Sequence, residues 1–192
     1  MKETDKNTLA LDTNKWLNFL TIVEQPEKVA LWKEYLAEHK FEVIMPALIL
    51  KELYCTITEK DDPLTFLKAL KMGGTIGWTF IKTKYDAEYY KIKANQLIKK
   101  HNIKQILEAK GLCETDETGR KWHALHREDL AILISLKEMG KQYYFITTDG
   151  KLKDALSLKE IREIFLSEGI EFVLLYENKN KLSRIKILPE FK

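Results

Sequence analysis

The chain has 192 residues, of which 45% are hydrophobic and 32% charged, a composition that predicts one well-cored globular domain over residues 1–192 rather than two. Its apolar runs are shorter than the roughly 20 residues that span a bilayer, and its first residues lack the apolar segment of a secretory signal, so we expect a cytoplasmic protein without a membrane partner. The formal net charge of +3 is too small to predict nucleic-acid binding by itself, and the two cysteines, Cys55 and Cys113, have no metal-type spacing.

The first predicted strand ends in an acid. Residues 8–12 (TLALD) form a short buried strand, and the chain then enters a helix at 15–22 that Thr13 or Asn14 can cap. Asp12 lies between the two elements, where the backbone N–H groups and the dipole of a helix N-terminus favour negative charge. Taken alone, Asp12 is therefore explained by helix capping.

A second acid lies on the helix that follows the second strand. A helical stripe of apolar residues over 26–39 leads to a strand at 41–45 and then to a helix at 47–57, with Glu52 in its middle. A glutamate in mid-helix usually faces solvent, but here its neighbours one turn away on either side are apolar. Glu52 therefore has two explanations, a solvated face and a position close to the apolar side.

The middle of the chain contains two further helices and the segment that is hardest to assign. Helices are predicted at 61–72 and 86–101, with a strand or extended connection at 75–81 between them. Residues 102–124 are an elaboration of the domain. This segment includes the polar run 114–121, which predicts an exposed loop.

The stretch 126–149 joins a helix to a buried strand and carries acids at both ends. Glu128 and Asp129 open an almost unbroken apolar run of helical length, and the β-rich run 143–147 stops just before Asp149. This order places one carboxylate at the start of a helix and another just past the end of a strand.

The last part of the chain completes an alternation of strands and helices. We predict a helix at 156–168, a buried strand at 171–176 and an edge strand at 183–188, and we expect Asp154 to cap the helix rather than to contact a metal. Strands that alternate with helices throughout predict an α/β sandwich with a mainly parallel sheet.

Four acids are expected near one edge of this sheet: Asp12, Glu52, Asp129 and Asp149. Two of them directly follow predicted strands, and open parallel sheets bind ligands outside the carboxyl ends of their strands. Clustered carboxylates repel one another. Mg²⁺ or Mn²⁺ resolves that repulsion, because both are hard cations that prefer oxygen ligands. The acids therefore predict a site for a divalent metal.

Each of these acids lies in a short motif, in chain order Asp12-Thr13-Asn14 after a strand, Glu52 in PALILKEL on a helix, Asp129 at the start of EDLAILISL, and Thr147-Thr148-Asp149 after a strand. In this order, and over residues 8–176, the motifs resemble those of the PIN domain, a family of metal-dependent nucleases. Two features depart from the family pattern. Ser135 stands where a small alanine is commoner, and the segment 102–124 makes the chain longer than the compact toxin-type members.

The resemblance implies a doubly wound, three-layer α/β/α sandwich and hydrolysis of RNA phosphodiester bonds with Mg²⁺ or Mn²⁺. Carried over motif by motif, it makes the four acids the catalytic metal ligands, and it makes Asn14 and Thr147 donors that orient them. RNA is then the expected partner. If the chain is a toxin, an antitoxin protein binds near the acidic site, and dimers are common in the family, so a homodimer is also expected.

Several neighbouring residues have competing explanations. Glu128 is the alternative ligand to Asp129, although the family spacing and the apolar phase of the helix favour Asp129. The spacing of His123 and His126 would suit a zinc pair, but no cysteine or third histidine stands nearby in sequence. The basic residues that adjoin the site are expected to contact RNA phosphates or to be solvated surface, and they are Lys15, Arg127, Lys151 and Lys153.

Two other function classes compete with a ribonuclease. A non-catalytic PIN-like module would bind RNA or a protein partner through the same fold, with the segment 102–124 covering the site or recruiting a partner, but it would have no need for the four acids. A magnesium-dependent phosphatase would place a second acid two residues after a nucleophilic aspartate, and Asn14 occupies that position. The sequence therefore favours a metal-dependent endoribonuclease.

Overall fold

The computed structural model describes residues 7–22, 25–58, 77–139, 143–178 and 181–186. The strands in these ranges are β1 (Asn7–Leu11), β2 (Phe41–Pro46), β3 (Thr79–Ile81), β4 (Cys113–Thr115), β5 (Lys121–His123), β6 (Tyr143–Thr147), β7 (Phe172–Asn178) and β8 (Lys181–Lys186). The helices are α1 (Thr13–Ile22), α2 (Pro26–Glu38), α3 (Ala47–Thr58), α4 (Ala87–Lys100), α5 (Ile103–Ala109), α6 (Arg127–Lys137), α7 (Gly150–Ser157) and α8 (Lys159–Ser167). The helix predicted at 61–72 lies outside the described residues.

The described strands form one main sheet in the order β3-β2-β1-β6-β7-β8. The first five are parallel, and β8 joins β7 in the antiparallel direction at the edge. β1 lies between β2 and β6, with Leu9 in register with Val43 on one side and with Tyr144 on the other. The predicted mainly parallel sheet and the C-terminal edge strand are confirmed.

Helices cover both faces of the sheet, which gives a three-layer α/β/α sandwich. Crossovers between parallel strands are right-handed, so α1 and α2, which connect β1 to β2, and α4 to α8, which follow β3 and β6, are expected on opposite faces. α3 packs against α1 and also lines a pocket together with α4 and α6. Central strand residues such as Leu9, Ala10 and Ile146 are fully buried, as expected for parallel strands that are covered on both sides. Within the described residues, no helix combines the length and apolar character needed to span a bilayer.

The segment 102–124 is more regular than the polar run predicts. After α5 the chain forms an antiparallel hairpin of β4 and β5, so the run 114–121 is not simply an exposed loop. The turn is held by Asp116, whose Oδ1 accepts the backbone N–H of Arg120 (2.9 Å), and by Gly119, whose φ of +82° favours glycine. Strands of three residues with one apolar side chain each are too short to show the apolar alternation that identifies longer strands.

The helix predicted at 156–168 is instead two helices that begin earlier. α7 starts directly after Asp149, which is its N-cap, and ends at Leu158, whose extended ψ of 135° separates it from α8. Asp154 lies inside α7 and forms an ion pair with Lys153. The expectation that Asp154 caps a helix is therefore wrong, because Asp149 already supplies that cap.

Candidate active site

Two acids emerge side by side at the carboxyl edge of the sheet. Asp12 directly follows β1 and Asp149 lies two residues beyond β6, and these strands are parallel neighbours. Each acid also caps a helix. The N–H of Lys15 donates to Oδ1 of Asp12 (2.6 Å), and the N–H groups of Lys151 and Leu152 donate to Oδ1 of Asp149 (2.8 and 3.1 Å). Asp12 and Asp149 therefore each cap a helix and also lie at the carboxyl edge of the sheet.

Thr147 connects these two acids. Its side chain is fully buried, and its hydroxyl donates a hydrogen bond to Oδ2 of Asp12. The same Oγ1 accepts the backbone N–H of Asp149 (3.0 Å). Asp12 and Thr147 are 135 residues apart in sequence, so this contact depends on the pairing of β1 with β6. One hydroxyl therefore fixes both the carboxylate of Asp12 and the backbone at Asp149.

Glu52 approaches the same region from α3. Its Oε2 accepts a hydrogen bond from the hydroxyl of Thr13 (2.5 Å), which is the first residue of α1 and the neighbour of Asp12. Sequence reasoning missed Thr13 as a partner of Glu52, since 39 residues separate the two and the only signal was adjacency to Asp12. Asn14 is exposed, and its orienting role stays a prediction.

Asp129, the third residue of α6, completes the group. Its Oδ2 accepts the backbone N–H of His126 (2.9 Å). Burial, together with the negative charges of Glu52, Asp12 and Asp149, raises the pKa of Asp129 to about 8, although the hydrogen bond from His126 acts in the opposite direction. Asp129 therefore interacts electrostatically with the other three predicted acids.

Glu128, the alternative to Asp129, has other partners. Its Oε1 accepts a hydrogen bond from Arg127 (2.6 Å) and lies 3.8 Å from Nζ of Lys91. Burial alone would raise the pKa of Glu128, but the hydrogen bond and charge of Arg127, with the charge of Lys91, hold it below its ordinary value. Of the two adjacent acids, Asp129 is the one coupled to the other three.

The pKa of Asp12 is also raised, by burial and by the negative charges of neighbouring acids. Its side chain is 4% exposed, and burial raises its pKa from 3.8 to about 6. The charges of Asp149 and Glu52 add to this rise, whereas the hydrogen bonds from Thr147 and Lys15 oppose it. Asp12 and Asp129 thus hold protons more tightly than solvated carboxylates do, because both are buried close to other acids.

The donor set fits a hard divalent cation. Carboxylate oxygens are the ligands that Mg²⁺ and Mn²⁺ prefer, and a cation between them would relieve their repulsion. Within the ranges that the structure describes, no three Asp, Glu, His or Cys side chains already converge closely enough to hold a metal ion. To hold a metal ion, the carboxylates would have to lie closer together than they do in this arrangement.

The basic residue nearest to Asp12 is buried rather than exposed. Nζ of Lys15 forms an ion pair with Glu177 and lies 4.4 Å from the ring centroid of Trp32. The expectation that Lys15 contacts phosphates or is solvated surface is therefore wrong. Burial lowers the pKa of Lys15, and the hydrogen bond and charge of Glu177, with the charge of Asp12, oppose that shift. Sequence reasoning missed Glu177, which is 162 residues from Lys15.

The remaining basic residues near the site form ion pairs at or near the surface. The ion pairs are Lys151 with Glu114, Lys153 with Asp154, and Arg127 with Glu128. His123 shares a hydrogen bond with Glu108 (3.1 Å). His123 thus pairs with a glutamate rather than joining His126 in a zinc site. Exposed pairs of this kind contribute little stability, so these cations remain able to exchange a carboxylate for a phosphate.

No protein-family model and no curated protein matches the chain. Among solved structures, it is similar to a chain of VapBC2 from Rickettsia felis, determined with a DNA fragment from the promoter. The two share 16% sequence identity over 77% of this chain and 92% of that chain, with a TM-score of 0.48. The assignment of the site therefore rests on contacts within this chain, and PIN-domain membership stays a prediction.

Proposed function

We propose that the chain is a divalent-metal-dependent endoribonuclease that hydrolyses RNA phosphodiester bonds. The observation that supports this most strongly is that four acids from four separate segments are brought together, so that burial, and then the charges of the neighbouring acids, raise the pKa values of Asp12 and Asp129. Uncompensated carboxylates destabilise a fold, and such local conflicts concentrate at functional sites. A positively charged ligand that neutralises these carboxylates would explain why the fold brings them together.

Mg²⁺ or Mn²⁺ would be held by the four acids, directly or through water: Asp12, Glu52, Asp129 and Asp149. When bound, such a metal lowers the pKa of a water molecule and stabilises charge on the leaving oxygen. Asp149 is well suited to bind, because both of its capping bonds use Oδ1 and no group among the described residues binds Oδ2. Thr147 and Thr13 orient Asp12 and Glu52. No histidine or serine nucleophile is needed.

Cleavage of a labelled single-stranded RNA in Mn²⁺ tests the proposal, with the wild type compared with Asp12→Asn and Asp149→Asn. Asparagine keeps the size and the capping oxygen of aspartate but removes the charge. We expect cleavage to slow by about 100-fold or more, since loss of a group that merely orients a metal ligand costs about 10–100-fold.

Asp154→Asn is the matched control, because Asp154 is an exposed acid on α7, the helix that Asp149 caps. We expect this variant to cleave RNA at the wild-type rate. Undiminished cleavage by both the Asp12→Asn and the Asp149→Asn variants would reject the assignment of the site.

A non-catalytic RNA- or protein-binding module is the second candidate. It is favoured by the fact that no three side chains in the described ranges are already arranged to hold a metal. Calorimetric titration with MnCl₂ separates the two candidates. Binding that is lost in Asp12→Asn supports the nuclease, whereas a wild type that binds no Mn²⁺ supports the module.

An antitoxin protein and a homodimer are the further partners that we propose from the resemblance. Light scattering coupled to size-exclusion chromatography measures the mass of the isolated chain, and a monomeric mass at micromolar concentration would reject the homodimer. Repeating the measurement with the product of a short neighbouring reading frame tests for the antitoxin.

A further inference from the structure

A basic cleft lies on the segment whose role the sequence leaves open. Its volume is about 530 Å³, and α4, α5, β5 and the first turn of α6 supply its walls. Among the described residues that line it, Lys104, Arg120, Lys121 and Arg127 are cationic and only Glu128 is acidic. Cationic side chains therefore outnumber acidic ones on the walls of the cleft, although the net charge of the whole chain is small.

The cleft adjoins the acidic site through α6. His126 lines the cleft, and its backbone N–H donates to Oδ2 of Asp129 (2.9 Å), which interacts with the other three acids. The hairpin also reaches α7, because Glu114 of β4 pairs with Lys151, two residues after Asp149. The hairpin thus contacts the N-termini of both helices that carry site aspartates on this side of the sheet, and an extended chain in the cleft would lead toward the acids.

Carboxylates hold two of the cations in position. Oε2 of Glu108 lies 3.3 Å from Nζ of Lys121, and Oε1 of Glu128 lies 2.6 Å from the guanidinium of Arg127. Pairs at this degree of exposure are worth little in free energy. A phosphate can therefore replace the carboxylate at small cost, while the pairing keeps the cations pointing into the cleft in the free protein.

An aromatic side chain is fixed in the wall of the cleft. Trp122 is 42% exposed, and its Nε1 donates to Oδ2 of Asp116 (3.1 Å). The guanidinium of Arg120 lies over the indole, 4.1 Å from the ring centroid, and the backbone N–H of Arg120 is also held by Asp116. Flat aromatic and guanidinium surfaces of this kind are those on which unpaired bases stack.

We propose that this cleft binds the single-stranded part of an RNA that flanks the cleaved bond, with phosphates on the four cations and a base on the Trp122–Arg120 pair. Positive charge selects a polyanion, and a stacking surface selects a single strand, because a duplex hides the faces of its bases. The inference rests on the proposed function for the orientation of the strand toward the acids. Binding itself does not require cleavage.

Fluorescence anisotropy with a labelled, unstructured RNA in EDTA measures binding without cleavage. The double variant Arg120→Ala/Lys121→Ala should weaken binding roughly tenfold or more. It should also reduce the slope of log K against log salt by about 1.4, since each phosphate contact to a single strand contributes about 0.7. Lys28→Ala/Lys33→Ala removes the same charge from exposed positions on α2 that do not line the cleft, and it should bind like the wild type.

Trp122 provides a separate test of stacking. Trp122→Leu should weaken binding about fivefold or more, whereas Trp122→Tyr, which keeps a flat ring, should retain most of the affinity. A duplex of the same sequence should bind more weakly than the single strand to the wild type and should be insensitive to Trp122→Leu.

Equal RNA affinity of the cleft and control double variants would overturn the inference. It would also be overturned if poly-glutamate bound the wild type as tightly as RNA does and lost affinity in the same variants. RNA binding that depends on the cleft in a protein that cleaves nothing with Mn²⁺ would uphold the cleft and reject the nuclease. Cleavage that depends on Asp12, with unchanged binding by the cleft variant, would reject the cleft and keep the nuclease.

Discussion

At the scale of single residues, the carboxylate of Asp12 is subject to interactions that favour its ionised form and to others that disfavour it. The same carboxylate is buried, caps α1 and accepts the hydroxyl of Thr147, yet its raised pKa shows that burial and neighbouring charges disfavour its ionised form. Hydrogen bonds orient the group but do not neutralise it. The side chain is therefore prepared for a positively charged ligand and is under electrostatic stress without one.

This stress predicts how the stability of the metal-free protein depends on pH. Because the folded pKa of Asp12 is raised from 3.8 to about 6, its contribution is fully present below about pH 4 and is lost as the pH rises through 6. Asp12→Asn should therefore be more stable than the wild type at pH 8 in EDTA, by up to about 3 kcal/mol, and similar to it at pH 4. Urea unfolding at both pH values measures this, and an Asp12→Asn variant less stable than the wild type at pH 8 would contradict it.

Thr147 makes a prediction that separates its hydroxyl from its shape. Thr147→Val keeps the volume but removes the group that holds Asp12 and the N–H of Asp149. Cleavage should fall about 10–100-fold, as for other partners that orient metal ligands. Thr147→Ser keeps the hydroxyl and should stay much closer to the wild type. If both variants lose the same activity in RNA cleavage assays, packing rather than hydrogen bonding explains the residue.

At the scale of elements, α7 combines structural and chemical roles at its first turn. Asp149 accepts the N–H groups of Lys151 and Leu152. Asp149→Ala should lower the free energy of unfolding by about 1 kcal/mol, the usual cost of losing an N-cap, whereas Asp149→Asn should keep it. Both variants should lose cleavage. Thermal unfolding and RNA cleavage measured together check this, and equal unfolding of the two variants would refute the capping contribution.

The hairpin of β4 and β5 depends on Asp116, which holds Arg120 and Trp122. Its hydrogen bonds, first that of Thr118, lower the pKa of Asp116 to about 2, so this support persists at every pH at which RNA is stable. Asp116→Ala should weaken RNA binding as much as Trp122→Leu does, while the exposed neighbour Glu117 should tolerate alanine. Anisotropy titrations compare the two, and equal affinity would show that the hairpin holds its shape without Asp116.

Most long elements of this chain can be predicted from sequence because their apolar pattern alone specifies them. β6 and the N-terminus of α2 lie where the pattern places them. The break at Leu158 was not predictable, since neither glycine nor proline marks it, and the cap at Asp149 starts α7 in a polar stretch. The hairpin was missed because its order comes from the hydrogen bonds of one aspartate rather than from buried apolar side chains.

At the scale of the whole molecule, metal and fold should be thermodynamically linked. A ligand that binds only the folded state stabilises it by about 2.7 kcal/mol at 100 times its dissociation constant. Mn²⁺ should therefore raise the Tm of the wild type at pH 8 and leave that of Asp12→Asn nearly unchanged. Differential scanning fluorimetry with Mn²⁺ and with matched ionic strength of NaCl measures this. An equal rise in both proteins would place the metal elsewhere.

The region in which the acids meet could be predicted from topology, because the carboxyl ends of parallel strands lie at the same edge of the sheet. The charged and polar partners that surround these acids could not be predicted from topology. Lys15 is buried because it pairs with Glu177 on β7, and no local pattern reveals a partner at that distance in sequence. The same holds for Thr13 and Glu52. Sequence patterns identify which acids lie close together, whereas tertiary contacts determine which hydrogen-bond donor or opposite charge each side chain meets.

The strand order also bears on the synthesis of this protein. β1 is made before β6, yet the two are neighbours in the sheet, so the contact of Asp12 with Thr147 awaits the translation of 135 further residues. A nascent chain up to that point contains Asp12, Glu52 and Asp129 without Asp149. If the finished protein degrades RNA, the ribosome and the message that produce it are therefore protected until β6 and Asp149 have emerged. Placement of an early strand next to a later one keeps the activity from preceding the pairing of these two strands.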